Sequence, residues 1–161
     1  MLRRAQLDVQ TVSLTGERQV TGGHQVTVQA DVLFEMADFS AAQMLVVPGG
    51  TVKYAEHDGL KQRLLAFAQQ GGKVAAICAS PALLGGIGLL QGKSATCYPG
   101  FEDRLTGARL QAGSAVVVDG LVTTGRGPGL TLDFALALVE QLAGKAKRDR
   151  SEEHTSELQS Q

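Results

Sequence analysis

The stretch Lys73-Val-Ala-Ala-Ile-Cys-Ala-Ser-Pro81 decides the fold of this 161-residue chain. Val74 to Ile77 is an unbroken apolar run, the mark of a strand buried on both faces. It stops at Cys78. Ala79, Ser80 and Pro81 then suit a sharp strand-to-helix turn, with Pro81 at a first helical position, where its missing N–H costs nothing. The expected geometry is a nucleophile elbow: a reactive side chain on a strained turn, beside backbone N–H groups of the next helix. A thiol at the positive end of a helix is favoured as thiolate. A second reading stands beside it. Free cysteine is among the most buried residue types, and one that closes an apolar strand is often core. The local pattern does not separate the two.

Working outward, Met44-Leu-Val-Val47 is a second fully apolar strand, ended by Pro48-Gly49-Gly50. Between the two strands, Leu60, Leu64, Phe67 and Ala68 fall at helical spacing, and Gly71-Gly72 closes that helix. Two-sided apolar strands separated by a helix indicate a parallel sheet covered on both faces. The fold class is therefore α/β, three layers, doubly wound. Sites in such sheets lie beyond the carboxyl ends of the strands, which brings Gly49-Gly50 and Cys78 together and favours the functional reading.

The flanks are read with the same rules. Arg3-Arg4-Ala5 resembles the end of a helix, and Leu7 to Leu14 a strand. Val20 and then Val26, Val28 and Ala30 alternate around Gly22-Gly23 as a short hairpin or two short strands, and 31–39 is a short helix or loop. Leu83-Leu84 continue a short helix broken by Gly85-Gly86, and Ser94 to Cys97 is a short strand. Residues 115–118 and 121–124 flank Asp119-Gly120, a two-residue hairpin signal. Gly125-Arg-Gly-Pro-Gly129 is a tight loop, and Leu132, Leu136, Val139 and Leu142 mark a last helix closed by Gly144.

Charge is balanced, 15 Lys+Arg against 16 Asp+Glu, so no footprint for nucleic acid is present. No apolar run reaches membrane-spanning length, and the opening Met-Leu-Arg-Arg lacks the apolar segment of a signal peptide. Two cysteines make no disulfide framework, so a cytoplasmic location is expected. Residues 1–149 are expected to form one domain. Residues 150–161 are polar without period, and are read as a disordered or non-native tail. The string resembles a sequencing-library adaptor translated in frame, which the codons of the nucleotide record would test.

Pro48-Gly49-Gly50, Ala75-Ala-Ile-Cys-Ala-Ser-Pro81 and Arg126-Gly-Pro-Gly129 ahead of Asp133-Phe-Ala-Leu136 together resemble the ThiJ/PfpI superfamily. Within it they resemble the group that includes the Parkinsonism-linked protein deglycase and bacterial glyoxalase III. The resemblance covers roughly residues 1–148. It implies a flavodoxin-like sandwich with a mostly parallel sheet, a homodimer, and Cys78 as nucleophile. Gly49, Gly50 and the Ala79 N–H would stabilise the oxyanion. The implied substrate is a small carbonyl compound, methylglyoxal-type dicarbonyls or their early glycation adducts, and no cofactor or metal is implied. In this family a glutamate after the first strand serves as acid/base. The chain starts beyond that point, so the first strand and the glutamate are expected to be missing, and the chain as written to be poorly stable and inactive.

Other candidates follow from the same resemblance. Tyr98 stands where some members place a histidine; a phenol is a poor base at neutral pH, but it could line the pocket and orient substrate or donate a hydrogen bond, or be a half-buried aromatic. His24 aligns loosely with a site-lining residue, and a lone loop histidine is usually just solvated. Arg4 matches an arginine that reaches toward the partner subunit, or is a surface arginine. Pro128 belongs to a turn that would shape the site or the dimer contact. The loop fails the dinucleotide template because residue 130 is leucine. Cys97 reads as a core residue and His57 as an exposed residue near a helix start. Two other functions are set against the enzyme. One is a redox sensor or chaperone in which Cys78 is oxidised. The other, an intracellular cysteine peptidase, is disfavoured because Ala79 rather than histidine follows the cysteine.

Overall fold

The structure is a computed structural model and describes residues 1–159. The chain divides into two compact units, Asp8–Ala42 and a larger one of Met1–Leu7 with the residues from Gln43 onward.

The smaller unit contains β1 (Val12–Ser13), β2 (Gln19–Thr21), β3 (Thr27–Gln29) and β4 (Val32–Leu33), then a 3₁₀ turn at Phe34–Met36. β2 and β3 form the expected hairpin, with Val20 opposite Val28. β1 pairs in parallel with β4. The strand expected over Leu7–Leu14 is thus only two residues long. The Asp31 carboxylate accepts from both the N–H and the hydroxyl of Thr11, at 2.7 Å each, so that N–H is taken from strand pairing. The segment expected as a short helix or loop over 31–39 holds both β4 and the 3₁₀ turn.

The larger unit opens as the sequence suggests, on a helix end. Gln6 N–H donates to Arg3 O and Leu7 N–H to Leu2 O, with Gln6 at φ 59, which is a Schellman closure. β5 (Met44–Val47) leads through α1 (Asp58–Gln69) to β6 (Lys73–Ile77), and then to α2 (Pro81–Gly86). His57 caps α1, its Nδ1 accepting from Leu60 N–H at 3.0 Å. β7 (Ser94–Ala95) and β8 (Arg109–Leu110) make a separate parallel pair. β9 (Val116–Asp119) and β10 (Val122–Gly125) form a hairpin before α3 (Thr131–Ala143) and α4 (Lys145–Gln159).

The main sheet runs β5-β6-β10-β9, with β5, β6 and β10 parallel and β9 antiparallel at one end. The α/β reading of 44–47 and 74–77 therefore holds. Val74, Ala75 and Ala76 are fully buried. Ala75 and Ile77 pack with Phe134 and Leu138 of α3. Val74 and Ala76 face the other side by the strand's period of two.

Four local expectations shift. Val122 pairs with Asp119, so the hairpin loop is Gly120-Leu121, and Asp119 closes its strand by accepting from Ser94 N–H at 2.7 Å. Gly85 and Gly86 stay within α2, where a side chain on Gly85 would collide with Arg104 O at 2.4 Å. The strand expected over 94–97 stops at Ala95 because the Thr96 N–H turns to the Thr124 hydroxyl. The segment read as a disordered or non-native tail over 150–161 is helical as far as Gln159, and its last two residues lie outside the described residues. There Arg148 pairs with Glu152 at 3.3 Å, and the Ser151 hydroxyl donates to Lys147 O at 2.8 Å. These contacts at helical spacing hold a helix that no apolar stripe announces.

Candidate active site

Cys78 follows the last residue of β6 and adopts φ 67, the left-handed region that side chains rarely enter. Two backbone bonds hold it there. Its N–H donates to Gly125 O at 3.0 Å, and its O accepts from Tyr98 N–H at 2.8 Å. The ends of β6 and β10 and the segment after β7 are thus tied through one residue. This is the strained turn expected from Ala79-Ser80-Pro81, with Pro81 as the first residue of α2.

Gly49 closes on this turn from β5. A methyl group built on it would lie 2.6 Å from Cys78 Cβ and 3.3 Å from Sγ, so no side chain fits. Gly50 adopts φ 93. The Ser80 hydroxyl donates to Pro48 O at 2.5 Å and clamps the Pro48-Gly49 turn to the elbow. The backbone N–H groups of Gly49, Gly50 and Ala79 donate to no protein acceptor among the described residues. Cys78 is partly exposed, whereas Cys97 is 4% exposed. Burial, reinforced by the Glu102 carboxylate, pushes the Cys97 thiol up to about 11. The two cysteines therefore occupy different environments, with Cys97 in the core as expected.

Tyr98 reaches the site by its backbone. The residue is 43% exposed, and its ring packs on Gly127, where an added Cβ would lie 3.1 Å from it. Pro128 is exposed and begins the 3₁₀ turn Pro128–Leu130. Gly49, Cys78, Ala79, Tyr98 and the 125–129 loop are thus brought together. Arg4 is exposed, and its guanidinium donates to His154 O of α4 at 3.1 Å. His24 is exposed on the β2–β3 hairpin of the smaller unit. No carboxylate is hydrogen-bonded to Cys78 among the described residues.

Ser80 was not singled out by sequence, although a hydroxyl just before Pro81 was the available signal. Tyr54 and Arg104 were also missed. They line a cavity of about 280 Å³ with Ala79 and Ser80, and the segments that meet there are far apart in the chain.

Similarity to known proteins covers the segment that carries this strained cysteine. The model of the DJ-1/PfpI family matches residues 1–141. The chain belongs to the DJ-1/PfpI family. It is 38% identical over 153 residues to Protein DJ-1 homolog B of Arabidopsis thaliana, covering 91% of this chain and 34% of that protein. The chain thus spans about a third of the length of this relative. A deglycase of Pyrococcus abyssi is 35% identical over 115 residues, covering 68% of each chain. The solved structure of oxidised Toxoplasma gondii DJ-1 superposes with a TM-score of 0.86 at 33% identity, covering 92% of this chain and 83% of that one. These likenesses establish the flavodoxin-like α/β sandwich. Among the described residues, no helix is long and apolar enough to cross a membrane.

Proposed function

We propose that the chain carries the Cys78 elbow of a cofactor-independent glyoxalase or deglycase acting on methylglyoxal-type dicarbonyls or their early glycation adducts. The observation that carries this reading is Cys78 itself, held at φ 67 against a glycine that admits no side chain. The deglycase name of the Pyrococcus relative supports it.

In this reading the Cys78 thiolate adds to the aldehyde carbon, forming a C–S bond and an oxyanion. The N–H groups of Gly49, Gly50 and Ala79 receive that charge. Protonation gives a hemithioacetal. A proton shift through an enediol oxidises the former aldehyde carbon and reduces its neighbour, leaving a thioester. Water then cleaves the C–S bond, releasing a hydroxy acid and the thiol, so no external oxidant is consumed. Proton transfer falls to solvent or to a group outside the described residues. A homodimer in a cytoplasmic setting accords with this reading.

The test measures methylglyoxal consumption by the protein and, beside it, by its Cys78→Ser variant. The protein is expected to turn over substrate, and Cys78→Ser to abolish turnover. Equal turnover by the serine variant would sink the reading. A second reading, redox sensing, draws on the oxidised state of the Toxoplasma relative. Peroxide-dependent, reversible change without cysteine-dependent turnover would favour it.

A further inference from the structure

The cavity beside the elbow has a chemistry that the reaction above does not use. It opens between the turn 51–56, the elbow residues Ala79 and Ser80 with the first turn of α2, and Arg104. Arg104 and Glu56 both line it, yet neither forms an ion pair among the described residues. The Arg104 guanidinium stands 5.4 Å over the Phe101 ring, a contact that leaves its N–H donors available. Tyr54 adds a phenol whose ionisation is pushed up by burial, so it remains a neutral hydroxyl.

One cation, one carboxylate and one hydroxyl on a single small cavity complement a zwitterion. At about 280 Å³, the space lies below the usual range for drug-sized ligands and suits one amino acid. Its wall includes Ala79 and Ser80, the two residues that directly follow Cys78 in the chain.

We propose that this cavity is a carrier subsite. It holds the α-amino acid end of a thiol adduct, such as the hemithioacetal of cysteine with methylglyoxal. Such an adduct keeps both its carboxylate and its ammonium. The Arg104 fork takes the carboxylate, Glu56 takes the ammonium, and the reacting carbon points to Cys78. The hemithioacetal then collapses. Its C–S bond breaks, the carrier thiol leaves with the hydroxyl proton, and the freed aldehyde takes up the Cys78 thiol across its C=O bond. The exchange conserves atoms and electrons. This role rests on the Cys78 reading above, whereas binding to the cavity can be measured without turnover.

The probe is S-methyl-L-cysteine, an unreactive zwitterionic thioether, titrated into the protein while amide NMR shifts are followed. Saturable shifts are expected at Ala79 and Leu83. Arg104→Gln and Glu56→Gln should each weaken binding about tenfold or more, the worth of one charge-assisted contact. Arg104→Lys should recover part of that loss, and amide dispersion reports whether each variant is folded. Uncharged 2-(methylthio)ethanol should produce no saturable shift. The proposal is overturned if wild type does not saturate, if folded variants bind like wild type, or if the uncharged thioether binds as well. Cys78→Ser should bind the probe normally. Methylglyoxal turnover without probe binding would therefore remove only this inference. Probe binding with full turnover in Cys78→Ser would remove the nucleophile reading and, with it, the carrier role.

Discussion

β6 and β1 both belong to parallel pairs, but different forces hold them. β6 has Val74, Ala75 and Ala76 fully out of solvent and an α3 face packed on it. β1 lies in a unit whose buried residues are Ser13 and Ala30. That unit is stitched by polar contacts: Thr11 to Asp31, Ser13 to Glu17, and Arg18 to Ala30. Each unit holds a residue at positive φ, but in different settings: Gln25 (φ 59) sits on the exposed hairpin of the smaller unit, and Cys78 (φ 67) at the end of the packed β6. A cysteine at positive φ costs on the order of 1–3 kcal/mol and persists only where surrounding packing over-determines it. The larger unit supplies that packing.

The largest expected contrast is between Leu138→Ala and Val28→Ala. Leu138 is 1% exposed in the α3 core, whereas Val28 is 58% exposed on the hairpin. Urea unfolding should show a loss of about 2–5 kcal/mol for the first and no more than about 0.5 for the second. Similar losses would erase the distinction between the two units.

Gly49→Ala comes next. The added methyl meets Cys78 Cβ, so the elbow or the Gly49 turn must move. Overpacking of this kind costs about 1–3 kcal/mol, and turnover should fall more than the stability loss alone explains. An unchanged rate in a folded Gly49→Ala protein would show that the close approach is incidental.

In the smaller unit, Asp31→Ala removes the acceptor of two Thr11 bonds. A loss of about 1–2 kcal/mol is expected. It should appear as faster hydrogen exchange confined to residues 8–42. Exchange that rises equally in β6 would contradict the independence of the polar stitching.

The smallest effect is a pH dependence. The Cys97 thiol, ordinarily near 9, is raised to about 11 by burial. The unfolded chain therefore loses this proton first, and stability falls as pH rises from about 9 to about 11. Below that window the contribution is fully present. Cys97→Ala should flatten this part of the stability profile, measured by thermal melts at stepped pH. A profile unaffected by the substitution would place Cys97 in a wetter environment.

The legible parts of the sequence were those whose signal is local. Unbroken apolar runs marked β5 and β6, Gly22-Gly23 marked the hairpin, and Cys78-Ala-Ser-Pro81 marked the elbow. The missed parts depend on partners distant in the chain. Asp31 shortens β1 from 20 residues away. Asp119 is drawn into its strand by Ser94, which moves the turn by one residue. α4 has no apolar period and is held by ion pairs and side-chain-to-backbone bonds. The pairing of Arg104 and Glu56 on one cavity arises only when α2, the 51–56 turn and the segment after β7 converge. Of the candidate site, Cys78, Gly49 and Ala79 could be read in advance. Ser80's clamp on Pro48 could not, because its acceptor is a backbone oxygen 32 residues away.

The central claim is that Cys78 is a poised nucleophile while Cys97 is a core thiol. Timed alkylation of the native protein with iodoacetamide at neutral pH, mapped by peptide mass spectrometry, tests it directly. Cys78 should be modified first, with Cys97 protected until denaturant is added. Comparable native rates, or modification of Cys97 ahead of Cys78, would contradict the account.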